Sequence, residues 1–239
     1  MLHIFKRYAA NLFSDWTDEN LQVMSSLLES NPKASIVDLG CGDGDLTKVF
    51  AKRIKSKFVT GVEGLAIKIK GVKLVKANLN RRLPLPSNSY DVVISHYSLE
   101  HLYNSGLFIH ESYRILKKGG YMLVATDNLS SWANVISLIL GWQPFSLTSG
   151  VGKNPLGNPF ARVGFTDPNP LYIEYMLSGE FSHNKVMTYQ MLKEAFTEYS
   201  FNIEEMYGVG YFPFFGILSR FFAKLDIRHS HFLILKARK

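Results

Sequence analysis

The stretch Ile36-Val37-Asp38-Leu39-Gly40-Cys41-Gly42-Asp43-Gly44-Asp45-Leu46 holds the residues best placed for chemistry. An apolar run of strand character leads into glycines at alternate positions, and a helical pattern follows. Glycines so spaced let the backbone turn tightly and let a ligand approach with no Cβ in the way. A dinucleotide-binding turn wants glycine at position 45, which is Asp here, so that fingerprint fails. Asp38, Asp43 and Asp45 together would repel a pyrophosphate and favour a cationic ligand. Nineteen residues after Gly44, Glu63 closes a second apolar run in Gly61-Val62-Glu63-Gly64. An acid there accepts hydrogen bonds from two ribose hydroxyls. A positively charged, ribose-bearing cofactor suits both acids; the bland alternative is a tight strand-to-helix turn and nothing more.

Such a loop needs a scaffold. Apolar runs of strand length recur at Ser35 to Leu39, Lys57 to Val62, Val72 to Ala77, Asp91 to Ser95 and Tyr121 to Thr126. Each is rich in Val, Ile or Leu and bounded by turn formers, which suits strands buried on both faces. Helical spacing separates them: Leu46, Val49, Phe50 and Arg53 after the first strand, and Leu107 to Leu116 before Lys117-Lys118-Gly119-Gly120. That Lys-Lys-Gly-Gly run reads as a helix C-cap. Alternation of this kind predicts a doubly wound α/β fold, with a mostly parallel, Rossmann-like sheet between helices. Ser14 or Asp15 is expected to cap a helix reaching about Ser30, so that residues 1–31 form N-terminal helices. After Thr188 a helix to Tyr199, a strand near Asn202 to Tyr207, a helix from Phe214 to Leu225 and a last strand from His231 to Ala237 complete the pattern. From about 143 to 187 regularity fails amid prolines and glycines, and an irregular stretch of that length reads as an inserted lid in a single domain.

Composition sets the outer limits. The chain has 239 residues, 46% of them hydrophobic, enough for a sizeable core. A single cysteine, Cys41, excludes an internal disulfide framework and makes a cytoplasmic location the expectation. No run approaches the roughly 20 apolar residues of a membrane span, and Met1 to Phe13 lacks the apolar core of a signal peptide. Net charge is +7, concentrated between Lys48 and Arg82, where 11 Lys and Arg face one acid, Glu63. A basic face of this kind attracts phosphates or a membrane surface, although Lys48, Lys52 and Lys55 at helical spacing read more simply as a solvated side.

The chain resembles the class I S-adenosylmethionine-dependent methyltransferases, in particular the methyltransferase type 11 group. The resemblance is carried by Val37 to Gly44, by Glu63, by Ala77-Asn78-Leu79-Asn80 with Leu83-Pro84-Leu85-Pro86 before Tyr90 to Ser95, by Leu99-Glu100-His101-Leu102, and by Arg114-Ile115-Leu116-Lys117-Lys118-Gly119-Gly120. It covers about Ala34 to Asn128 and implies a seven-stranded sheet with its last strand antiparallel, and S-adenosylmethionine as cofactor. By this resemblance Gly40 and Gly42 line the methionine part, and Cys41 and Gly44 belong to the same cofactor-binding loop. Asp38 organises its amino end, and Glu63 takes the ribose hydroxyls. Asn78 stands where the family usually has Asp facing the adenine amine, and its carbonyl oxygen still accepts from that amine. Leu79 covers the adenine face, and Ser95 and His96 lie near the sulfonium.

Methyl transfer to a hydroxyl or protonated amine also needs a base, and His101 and His96 have the ordinary pKa range for it. His101 reads equally as a structural partner of its loop, and Asp127 is a third candidate. Cys41 reads as a small packing residue, since the neighbouring acids disfavour a thiolate. His96, His101 and His110 with Glu100 and Glu111 match no usual ligand spacing, so no metal is expected. The expected reaction is direct methyl transfer to a small molecule, a sugar or a lipid-linked glycan precursor, with aromatic residues of the irregular segment serving the acceptor. RNA or protein methylation and a non-catalytic binding module are the alternatives. Nucleic acid is not the expected partner, nor is peripheral membrane contact through Phe212 to Phe222, whose helix reads more simply as core-facing.

Overall fold

The computed structural model describes residues 2–64, 69–148, 156–160 and 182–239. Most of the inserted segment expected at about 143 to 187 lies outside the described residues, including Phe165, Tyr172 and Tyr175. The elements run α1 (Leu2–Leu27), β1 (Ser35–Leu39), α2 (Asp45–Ile54), β2 (Phe58–Glu63), β3 (Lys73–Lys76), β4 (Tyr90–His96), α3 (Ser105–Ile115), β5 (Leu116–Asp127), α4 (Trp132–Ile139), α5 (Tyr189–Glu198), β6 (Asn202–Val209), α6 (Gly216–Leu225) and β7 (Phe232–Arg238). The seven strands form one sheet in the order β3-β2-β1-β4-β5-β7-β6.

Neighbouring strands from β3 to β5 pair in parallel, with Leu39 opposite Val62 and Asp38 opposite Ile94. β7 runs against β5: Gly119 N–H donates to the Lys239 carbonyl near one end, and Asn128 N–H to the His231 carbonyl near the other. The expected mostly parallel Rossmann-like sheet with helices around it is therefore the fold. Ile36, Val37 and Leu39 of β1, Val93 of β4 and Leu123 and Val124 of β5 are fully buried. Their continuous apolar character is what a strand covered on both faces demands.

The described residues gather into two compact units. The first comprises Gln22–Thr126, Met191–Met206 and Ile234–Lys239, and holds β1 to β4 with α2 and α3. The second comprises Met1–Leu21, Asp127–Gln190 and Tyr207–Leu233, and holds α4 and α6.

Two local expectations are corrected. Ser14 and Asp15 do not start a helix, because α1 already runs through them from Leu2. Asp15 instead caps a different helix, its Oδ2 accepting from Gly216 N–H at 2.7 Å at the first turn of α6. Nor does Lys117-Lys118-Gly119-Gly120 cap α3, which ends at Ile115 with Leu116 already extended. The run belongs to β5 and bulges there, since Tyr90 pairs with Leu116 but Val92 pairs with Tyr121. Gly120 suits this position because a Cβ would lie 2.9 Å from the Asp91 carbonyl oxygen.

Within the first unit, the Leu83-Pro84-Leu85-Pro86 segment has a dedicated anchor. Arg114 donates to the Leu83 and Leu85 carbonyls and pairs with Glu111 through two bonds of 2.8 and 2.6 Å, while Glu111 accepts from Leu83 N–H. Burial pushes the Glu111 carboxyl up, but these bonds and the Arg114 charge outweigh it and hold it below the ordinary range.

Candidate cofactor site

The site lies in the first unit, at the carboxyl ends of adjacent parallel strands, where open α/β sheets bind ligands. β1 delivers Asp38 and then the glycine loop. Gly40, Gly42 and Gly44 all have positive φ, of 84°, 51° and 79°. At Gly40 the demand is also spatial, since an added Cβ would lie 2.1 Å from Ser98 Oγ and 3.6 Å from Leu79 Cδ1. Gly44 is the left-handed residue that opens α2, and a Cβ there would collide with Ile69. Gly40 and Cys41 N–H both donate to the Val62 carbonyl, which stitches the loop to β2.

Glu63 follows Val62 and binds the same loop from its side chain. Its Oε2 accepts from Gly42 N–H at 2.9 Å and its Oε1 from Gly64 N–H at 2.6 Å. Ala77 N–H donates to the Glu63 carbonyl, which brings Asn78 beside this acid. Asn78 is exposed and its Oδ1 accepts from Asn80 N–H at 2.8 Å, while Leu79 is half-buried near Gly40. Hydrogen bonds and close packing thus assemble Gly40, Cys41, Gly42, Glu63, Asn78 and Leu79 around one loop.

Asp38 is buried at the end of β1. Its Oδ2 accepts from Thr47 Oγ1 at 2.5 Å, and its Oδ1 has no hydrogen-bond partner among the described residues. Burial raises its carboxyl to about 6, the Thr47 bond opposes the rise, and the Glu63 charge adds to it. Cys41 Sγ sits where a Cβ on Gly61 would fall, at 2.6 Å, and burial with the charges of Asp38 and Glu63 pushes its thiol up to about 12. A thiol so protonated packs rather than attacks.

Ser95 and His96 end β4. Ser95 is fully buried, with its hydroxyl unpartnered among the described residues. His96 packs 4.1 Å from the Tyr97 ring and 6.2 Å from Phe50, and burial lowers its pKa to about 4. It is therefore a neutral imidazole at pH 7 and a weak proton acceptor. His101 stands half-buried in the short turn Leu99–His101, its N–H donating to the Ser98 carbonyl. The same turn holds Glu100, buried and accepting from Thr126 Oγ1 at 2.8 Å.

Sequence reasoning did not reach Thr47, Ser98 or Ile69. A hydroxyl one turn into the helix after a glycine loop was the available signal for Thr47; contacts across the sheet left none for the other two. His183, of the second unit, was equally invisible: its Nδ1 lies 3.1 Å from Asp127 Oδ2 and 2.5 Å from the Ser146 carbonyl. Two acceptors at one nitrogen place a proton on Nδ1.

The donor set fits a cationic, ribose-bearing cofactor. A buried acid keeps one oxygen unpartnered among the described residues, a second acid stands at the next strand end, and the loop between them has no side chain at Gly40, Gly42 or Gly44. The profile of the methyltransferase domain matches residues 37–124, the segment that folds into this loop and strands β1 to β5. Over those residues the chain carries a methyltransferase domain.

The chain is 30% identical over 118 residues to a Mycobacterium tuberculosis protein named "Probable S-adenosylmethionine-dependent methyltransferase", an alignment covering 47% of this chain. The chain spans 43% of that relative's length. Among solved structures, the S-adenosylmethionine-dependent methyltransferase of Mesorhizobium loti has the same fold, with a TM-score of 0.58 at 19% identity, covering 95% of this chain and 100% of that one. So has the geranyl diphosphate C-methyltransferase of Streptomyces coelicolor, crystallised with S-adenosyl-L-homocysteine, with a TM-score of 0.54 at 13% identity, covering 93% of this chain and 80% of that one. S-adenosylmethionine is the cofactor that the names of the first two of these relatives carry.

Proposed function

We propose that the chain transfers a methyl group from S-adenosylmethionine to a small-molecule, sugar or lipid-linked glycan acceptor by direct in-line displacement. The carrying observation is the pair of acids flanking the glycine loop, Asp38 with its Oδ1 unpartnered among the described residues and Glu63 at the next strand end. In this reading Asp38 receives the cationic amino end, Glu63 the ribose hydroxyls, Gly40, Cys41, Gly42 and Gly44 the methionine part, and Asn78 and Leu79 the adenine. Ser95 and His96 border the sulfonium. The cofactor supplies a methyl group already activated by positive sulfur, so the chain's task is to align the acceptor and exclude water. His101 takes the acceptor proton where the acceptor is a hydroxyl; His96, held neutral with a pKa near 4, lines the site rather than serving as base. In the same reading the chain is a single catalytic domain, and the inserted segment from about 143 to 187 selects the acceptor.

Calorimetric titration with S-adenosylmethionine and S-adenosylhomocysteine tests the reading, repeated on Asp38→Ala and Glu63→Ala. Micromolar binding lost in both variants supports it; an intact chain that binds neither ligand overturns it. Transfer of a labelled methyl group into lipid-soluble, water-soluble, RNA and protein fractions then assigns the acceptor, and label confined to RNA or protein rejects the small-molecule choice.

A further inference from the structure

Helix α6 presents the opposite face from the one its sequence suggests. The small residues Ser219 and Ala223 are buried, whereas Ile217, Leu218, Phe221 and Leu225 are exposed, Ile217 by 81%. Helical geometry places these four on one arc of about 100°. The Ser219 hydroxyl accepts from Tyr211 N–H at 2.9 Å, so rotating the helix to bury its large side chains would break that bond and bury Arg220 or Lys224.

Helix α4, in the same unit, is inverted in the same sense. It buries Ala133, Asn134 and Ser137 and exposes Leu138, Ile139 and the following Leu140, Ile139 by 76%. Its rotation is locked as well: Asn134 Nδ2 donates to Ser146 Oγ and the Asn128 carbonyl, and Ser137 Oγ accepts from Asn158 Nδ2. Tyr211 ties the two helices, accepting from Trp132 Nε1 at 2.7 Å and donating to Asp226 Oδ2 at 2.8 Å just after α6. Two helices that bury small or polar residues and expose Ile, Leu and Phe are the reverse of a solvent-facing pattern.

We propose that α6 and α4 form a docking surface for an anionic lipid bilayer. Charge argues for that occupant. Gly216 to Leu225 carries Arg220 and Lys224 and no acid; Asp226, which follows, is already held by Tyr211 and His229, and Arg228 comes after it. Lys224 and Arg228 are exposed with no carboxylate partner among the described residues, while Arg220 is shared with Glu19 at 3.9 Å. Apolar side chains bordered by basic ones are the composition of an interfacial helix. A second copy of the chain is the poorer fit, because a two-fold contact through α6 would set these cations against themselves. The proposal is independent of cofactor and acceptor, since docking is measured without either.

Flotation of the full chain with phosphatidylcholine vesicles, with and without about 30 mol% phosphatidylglycerol, reads the surface directly. The anionic vesicles are expected to carry the protein at about 0.1 M salt, and the neutral ones to carry much less. Ile217→Ser with Phe221→Ser should lower partitioning at least about tenfold, while Lys224→Gln should lower it about fivefold and weaken the salt dependence. Thermal midpoint and S-adenosylmethionine binding, measured alongside, verify that each variant is folded. Protein left at the bottom with both vesicle types, or partitioning unchanged by the Ser pair, overturns the proposal. So does a dimer in sedimentation velocity that the Ser pair dissociates, with no vesicle binding.

Discussion

Thr47, in the first turns of α2, donates its hydroxyl to Asp38 Oδ2 at 2.5 Å and occupies one oxygen of the acid that ends β1. The other oxygen, Oδ1, is buried without a hydrogen-bond partner among the described residues. One bond thus joins strand, glycine loop and helix and orients the remaining oxygen.

This arrangement makes cofactor affinity sensitive to pH. Burial, opposed by Thr47 and helped by Glu63, sets the Asp38 carboxyl at about 6, above its ordinary value. A cationic amino group needs the ionised form, so affinity should fall about tenfold for each pH unit below 6. Calorimetry across that range checks it, and Asp38→Asn should bind weakly with a flat profile.

Gly40 should tolerate no side chain. Alanine there meets both a φ of 84° and Ser98 Oγ at 2.1 Å, with an expected stability loss of about 2 kcal/mol. Ser98→Gly should recover the steric part but not the backbone part, a difference that denaturant titration of the single and double variants resolves.

Arg114→Ala should release the Leu83 to Pro86 segment and leave Glu111 unpaired, at a cost of about 2 kcal/mol once partial solvent screening is allowed for. Arg114→Lys should rescue little, because one ammonium cannot reproduce the guanidinium fork that reaches Glu111, Leu83 and Leu85 together. Thermal midpoints of the two variants, read side by side, check this.

His231 should make the fold acid-sensitive. It is buried, 4.9 Å from both the Phe13 and Trp16 rings, and burial lowers its pKa to about 4 despite the opposing charge of Asp127. The unfolded chain takes up this proton below the ordinary histidine value and the folded one does not. Stability therefore falls as pH drops from about 6.5 to 4, by an expected total of about 3 kcal/mol. Glu19, raised to about 7 mainly by burial, and Asp38 have the opposite slope, since their folded forms hold the proton more tightly. Subtracting the His231→Phe profile from that of the unaltered chain in urea titrations isolates the histidine.

Part of the site was legible because its constraints are local. Strand β1 ends at Leu39 as expected, the glycines turn where alternate spacing says they must, and Glu63 sits at the end of β2. The partners of these residues were not legible. Nothing in the sequence pairs Ser98 with Gly40, or shows that the Asn78 carbonyl oxygen accepts from Asn80 N–H. Basic residues followed by glycines, as at Lys117 to Gly120, satisfy both a helix end and a bulged strand start, and only the flanking pairs with Tyr90 and Val92 and the bonds to Lys239 select the second.

By itself the sequence determined the alternation of buried strands and helices, and with it the sheet, the glycine loop and the acids at the strand ends, because periodicity and backbone freedom are properties of neighbouring residues. Tertiary structure alone decided which way α4 and α6 face. Their spacing is compatible with burying either side. Hydrogen bonds donated by Asn134 and accepted by Ser137 and Ser219 hold the small, polar side inward and leave Ile139, Ile217 and Phe221 outside. An apolar stripe states that a helix has a preferred partner; only the packed chain shows whether that partner is its own core.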